Sequence, residues 1–171
     1  GEDVQFLANG GYLWLMERAE ASDSQLYSGQ LALQVKPTDD SAIKFGGTYY
    51  GFSELEGEKV LDWTASNKSY GNSTRSVVSG TTTSKVYATE FQVVEGFVQA
   101  DFNVGIPMSV FGACAVNTEA DENDKGWQAG IKFGNASDPV KVEFSYDYRK
   151  LEKDVWLGAL ADSDFIGGGT D

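Results

Sequence analysis

Residues 140–151 carry the clearest alternation in the chain. Val140, Val142, Phe144, Tyr146 and Tyr148 take the even positions, and Lys141, Glu143, Ser145, Asp147 and Arg149 the odd ones. A strand sends those two sets to opposite faces, one apolar and one charged, whereas a helix would mix them. The same period runs through 127–134, with Trp127, Ala129, Ile131 and Phe133 opposite Gln128, Gly130, Lys132 and Gly134. It recurs at 26–36, with Tyr27, Gly29, Leu31, Leu33 and Val35 opposite Ser28, Gln30, Ala32, Gln34 and Lys36. Noisier versions occupy 4–17, 42–52, 91–104 and 108–117. The pattern predicts an all-β chain of seven strands, most longer than the usual ~5–6 residues and close to the ~9–11 that a tilted strand needs to cross a bilayer.

The connections sort by length. Residues 36–41, 105–107 and 135–139 are short and rich in turn formers, while 18–25, 54–89, 118–125 and 152–171 are long and polar. Long and short alternate, so the tight turns share one end of the sheet and the long loops the other. This is an antiparallel up-and-down meander, and outer-membrane barrels show the same asymmetry. Alternation alone fits two readings. A soluble barrel hides its apolar face inside, and a membrane barrel turns it outward. Strand length, a Gly- and Ala-containing apolar face, and Tyr or Trp near strand ends (Tyr12, Trp14, Tyr27, Trp127, Tyr146, Tyr148) favour the membrane barrel.

Composition removes whole classes of function. A net charge of −13 argues against nucleic acid. There is no His, and the single Cys allows no internal disulfide. Catalytic triads and zinc sites are therefore disfavoured, no cofactor motif is legible, and no enzyme is expected. No apolar run is long enough for a transmembrane helix. The chain opens Gly1-Glu2-Asp3 rather than with Met, which reads as a processed, trimmed or partial sequence.

Its C-terminal third carries a specific set of motifs. The acidic loop Thr118-Glu119-Ala120-Asp121-Glu122-Asn123-Asp124 precedes a G-W-x-x-G-x-x-x-G strand, Gly126 to Gly134. Tyr146-Asp147-Tyr148-Arg149 follows, then Asp162-Ser163-Asp164-Phe165-Ile166-Gly167-Gly168-Gly169-Thr170. In that order these resemble the C-terminal barrel region of the putative porins of Gram-negative bacteria. Gly11-Tyr12-Leu13-Trp14 and residues 24–35 resemble the same proteins more weakly.

The resemblance implies a transmembrane β-barrel in the bacterial outer membrane that passes small hydrophilic solutes. Such barrels are longer and usually end on an aromatic residue. A seven-stranded chain ending at Asp171 is therefore expected to be a single, incomplete barrel domain over 1–171. In a porin the charged face Lys141, Glu143, Asp147 and Arg149 would line the lumen, joined by Lys44, Glu95, Asp101 and Lys132. The alternative for that face is a solvated sheet surface with weak cross-strand ion pairs. Asp121, Glu122 and Asp124 are weak candidates for a hard cation, without the spacing of an EF-hand. Residues 54–89 are long enough to fold into the pore, yet equally suit an exterior loop. The implied partners are outer-membrane lipid, lipopolysaccharide and small hydrophilic solutes, with homo-oligomerisation left open. The rivals are a soluble β-barrel or sandwich binding a hydrophobic ligand, and a surface structural or adhesive β protein.

Overall fold

A computed structural model describes residues 3–19, 21–61, 68–136, 142–161 and 169–171. Nine strands follow one another: β1 (Val4–Met16), β2 (Ser24–Thr38), β3 (Ser41–Ser53), β4 (Thr74–Ser79), β5 (Thr82–Tyr87), β6 (Gln92–Asn103), β7 (Pro107–Asn117), β8 (Lys125–Gly134) and β9 (Glu143–Leu151). Seven of them form one sheet in the order β1-β2-β3-β6-β7-β8-β9, each antiparallel to its neighbours. The meander is present and the sheet is open, since β1 and β9 each pair on one side among the described residues. The seven strands run from 9 to 15 residues.

Antiparallel pairing places register partners on the same face, so each face can be followed from strand to strand. One transverse line runs Phe6, Leu33, Phe45, Val98, Gly112, Ala129, Tyr148. The line beside it runs Val4, Val35, Ile43, Ala100, Val110, Ile131, Tyr146. This apolar face points out: Phe6 is 67% exposed, Leu31 60% and Phe144 63%. Among the described residues, eighteen large apolar side chains stand exposed on it. Full burial of each would contribute about 1.5–3 kcal/mol, so tens of kcal/mol are left for an apolar surround to supply.

The buried core lies elsewhere, at the long-loop end. Leu15, Phe52 and Val93 from the sheet meet Leu55, Val60, Leu61, Tyr87, Phe91 and Leu157 from the connections. Leu26, Tyr50, Ala115 and Trp156 pack around them. Positions 26, 50, 52, 93 and 115 alternate in step with the polar set (Gln30, Thr48, Glu95), so the loops fold over the polar face and not the apolar one. Ring contacts tie the layers, with Tyr50–Trp156 centroids at 4.7 Å, Phe52–Trp156 at 5.5 Å and Phe52–Phe91 at 5.9 Å.

Residues 54–89, read from sequence as a loop, contain the hairpin β4–β5. Gly80 takes φ +62° at the first position of its two-residue turn, a conformation that only Gly adopts cheaply. Strand β2 extends two residues beyond each end of the periodic stretch 26–36.

Candidate functional site

The polar face is the concave one. Residues from β1, β2, β3 and β6 (Leu7, Asn9, Gln30, Ala32, Lys44, Glu95, Phe97, Gln99) enclose a cleft of about 290 Å³. Nearer the short turns, Lys36, Asp39, Asp40, Asp101, Lys132 and Glu143 line one of about 530 Å³. Four strands can share one cleft only where the sheet curls round it.

Register sets how the charges meet. Lys44, Gln99, Phe111, Gly130 and Asp147 share one transverse line, and Asp101, Ser109, Lys132 and Ser145 the next toward the turns. Lys132 Nζ reaches Glu143 Oε2 at 2.9 Å, diagonally across β8 and β9. Gln99 Nε2 donates to both Asp101 oxygens, at 2.9 and 3.0 Å. Seven of the eight sequence-based lumen candidates (Lys44, Glu95, Asp101, Lys132, Glu143, Asp147, Arg149) therefore share the concave face. Asp101, Lys132 and Glu143 meet in the larger cleft, and Lys44 and Glu95 in the smaller. Asp147 and Arg149 stand on β9 outside both, and Lys141 lies outside the described residues.

A second feature was not anticipated. Asn9, Gln30, Thr48 and Glu95 are successive register partners on β1, β2, β3 and β6. Their side chains link in sequence: Asn9 Nδ2 donates to Gln30 Oε1 (3.0 Å), Gln30 Nε2 to Thr48 Oγ1 (3.0 Å), and Thr48 Oγ1 to Glu95 Oε1 (3.5 Å). The sequence signal was an amide, a hydroxyl and a carboxylate at alternating positions. Their alignment requires the register, which no single strand carries.

Above this ladder the loops form a cap held by two buried asparagines. Asn117, 0% exposed, donates through Nδ2 to the carbonyls of Glu90 (3.0 Å) and Asp154 (2.7 Å). Its Oδ1 accepts from the N–H of Gln92 (2.9 Å) and Glu119 (3.2 Å). Asn72 Nδ2 donates to the carbonyls of Lys153 and Trp156, and its Oδ1 accepts from Gly158 N–H. Arg18 Nη1 donates to Ser22 O and Ser24 Oγ, and Ser24 Oγ to Glu54 O. The Glu90 carboxylate accepts backbone N–H groups from Leu55 (3.0 Å), Glu56 (3.4 Å) and Phe91 (3.3 Å). Burial pushes its pKa up, the three donors draw it back, and Glu54 adds a further push upward.

In the acidic loop Asp121 and Glu122 are exposed, and Asp124 lies 3.9 Å from Lys125. Among the described residues no three Asp, Glu or Cys converge as metal ligands. Arranged this way, the concave face offers water and dissolved molecules a wall of charges, amides and hydroxyls, backed by a surface suited to lipid.

No curated protein and no solved structure matches the chain. A family model described as "Putative porin" matches residues 81–171, which takes in β5 to β9, four of the cleft-lining strands (β6 to β9) and the Asn117 side of the cap. That span is just over half of the sequence, and the chain belongs to the putative porin family.

Proposed function

We propose that this chain forms channel wall in the bacterial outer membrane and that small hydrophilic solutes cross by passive diffusion along its concave face. The observation that carries the reading is the inversion of the sheet, with apolar residues outside and polar ones inside. A soluble barrel with a hydrophobic ligand would need the opposite arrangement. Porin family membership supports a porin-like, non-enzymatic role and an outer-membrane location.

The faces divide the labour. Outward Tyr12, Trp14, Tyr27 and Tyr49 gather toward the loop ends of β1 to β3, where amphipathic rings suit a headgroup layer. Inward Lys44, Glu95, Asp101, Lys132, Glu143, Asp147 and Arg149 replace the hydration that a solute loses on entry. The cap, built from 54–61, 87–91 and 155–160, folds over the wall at the loop end and narrows the passage there. Closing the sheet requires strand partners for β1 and β9, as every membrane barrel must leave no edge.

The test is conductance. Full-length protein purified in detergent and added to a planar bilayer should give stepwise, ohmic channels, and neutral sugars should swell liposomes that contain it. Absence of both, with protein shown to be inserted, refutes diffusion.

A further inference from the structure

Charge is distributed unevenly along the passage. Among the described residues the concave face carries Lys36, Lys44, Lys132 and Arg149 against Glu95, Asp101, Glu143 and Asp147, four of each sign. The loop-end segments 17–23, 54–90, 118–125 and 152–171 carry thirteen carboxylates against seven Lys or Arg among the described residues. The strands of the wall are thus balanced, Asp39 and Asp40 add two carboxylates at the short-turn end, and the rim at the loop end is acidic.

Within the wall the acidic groups are not equivalent. Glu143 is paired with Lys132, and Asp101 is held by Gln99. Glu95 has no ion-pair partner among the described residues, and its contact is the Thr48 hydroxyl at 3.5 Å. It is also the highest of them. Val93, two residues toward the loops on the same face of β6, is fully buried in the cap, as is Phe52 beside Tyr50 on β3. Two residues of strand span about 7 Å, so Glu95 stands in the first polar line beneath the apolar cap.

We infer that Glu95 sets the charge preference of the channel and that the solutes favoured are small cations, metal ions or amine-bearing molecules, concentrated first by the acidic rim. The inference rests on the proposed channel function. An unpaired carboxylate at the narrowed level acts on each passing ion at short range, whereas Glu143 below is offset by Lys132 at 2.9 Å, and Asp101 and Asp147 lie further down the wall from the cap. The rim acts at longer range and fades with salt, the screening length falling from about 10 Å at 0.1 M to about 3 Å at 1 M.

The experiment measures reversal potentials of the full-length protein in KCl gradients at low and high salt, for wild type, Glu95→Gln and Glu95→Lys. Wild type should pass K⁺ over Cl⁻, with part of that preference surviving at 1 M salt. A charge about 5 Å from the ion path in water changes K⁺ and Cl⁻ permeation by about fourfold each in opposite directions, so Glu95→Gln should lower the permeability ratio by roughly ten- to twentyfold, and Glu95→Lys should invert it. Glutamine keeps the size and the Thr48 contact, so Glu95→Gln channels of normal conductance isolate the charge. Unchanged selectivity in such channels, or anion preference in wild type, overturns the inference and leaves diffusion standing. Absence of wild-type channels refutes the channel function itself.

Discussion

Replacing Asn117 with Ala tests whether the loop cap is a folded unit or a collection of surface loops. The side chain makes four hydrogen bonds, two to carbonyls of Glu90 and Asp154 and two from the N–H groups of Gln92 and Glu119. Alanine leaves all four backbone groups to find other partners. A buried group left unsatisfied costs about 1–3 kcal/mol, and those nearest the surface can recruit water, so the net loss is about 3 kcal/mol. If the cap opens as a local unit, that loss raises amide exchange within it by about a hundredfold, at roughly tenfold per 1.4 kcal/mol. The amides to follow are Phe52, Gly57, Tyr87 and Val155, each bonded to a cap carbonyl. Amides of β2 paired with β3 serve as the reference and should not change. Asn117→Asp sharpens the test. It keeps an acceptor for Gln92 and Glu119 but turns an oxygen toward the two carbonyls, so it should loosen the cap at least as much as Ala. Full-length protein in detergent or vesicles, read by hydrogen exchange with mass spectrometry, is sufficient. A change under about threefold for Asn117→Ala, or wild-type protection in Asn117→Asp, would refute the reasoning.

Val98 lies in the middle of the outward apolar face, so Val98→Arg should destabilise the membrane-inserted protein by about 2–4 kcal/mol in urea titrations from vesicles. An ordinary water-exposed site would change by less than about 0.5 kcal/mol, which makes the result diagnostic. Gly71 has φ +101°, and an added Cβ would fall 2.0 Å from the Thr170 carbonyl oxygen. Gly71→Ala should therefore cost the cap at least about 1–3 kcal/mol, visible as faster exchange at Thr170 and Asp171. The raised pKa of Glu90 gives a pH dependence with a definite sign: its contribution to cap stability is fully present below the ordinary glutamate pKa and is lost as pH rises through the higher folded value. Acidification should slow cap exchange in wild type, and Glu90→Gln should remove that part of the dependence; equal pH profiles would contradict it.

The wall was legible in the sequence because each of its strands faces two different surroundings. Over 140–149 every second residue had to be apolar and its neighbours polar, and the same demand explains Leu31 beside Gln30 or Val98 beside Gln99. Hairpin β4–β5 faces no such contrast. In β4 the adjacent Val77 and Val78 are both exposed and the rest is Ser, Thr and Arg, and in β5 the adjacent Val86 and Tyr87 are both buried, so no period of two survives. The cap was hidden for another reason. Leu55, Val60, Leu61 and Leu157 follow no period because their partners are fixed by tertiary contact, with irregular backbone such as the positive φ of Glu54 and Tyr70 between them. The candidate lumen residues could be assigned to a face from parity alone, yet their pairing could not. That Lys132 meets Glu143, and that Asn9, Gln30, Thr48 and Glu95 form one line, depends on the registers of β8–β9, β1–β2, β2–β3 and β3–β6, of which only β2–β3 is fixed by a tight turn, at 39–40.

The boundary between cap and ladder also explains why one fold holds two kinds of stability. Above Thr48 and Glu95 the concave face is lined by Tyr50, Phe52 and Val93, which lose nothing by being dry and pack against Trp156 and Phe91. At Thr48 and below, amides, hydroxyls and carboxylates require water or one another. The cap and the strand ends Leu15, Phe52 and Val93 therefore share one hydrophobic core, whereas the wall below has none on its concave side and leaves Phe6, Leu33, Phe45 and Val98 exposed on the other, the face that the proposed function assigns to the membrane. Loosening the cap should leave most of the wall in place, because the backbone hydrogen bonds of β1 to β3 and of the strands below Val93 do not use the Asn117 or Asn72 side chains. In the proposed channel the quantity that changes is the width at the level where the wall turns from dry to wet, and that level is where Glu95 stands.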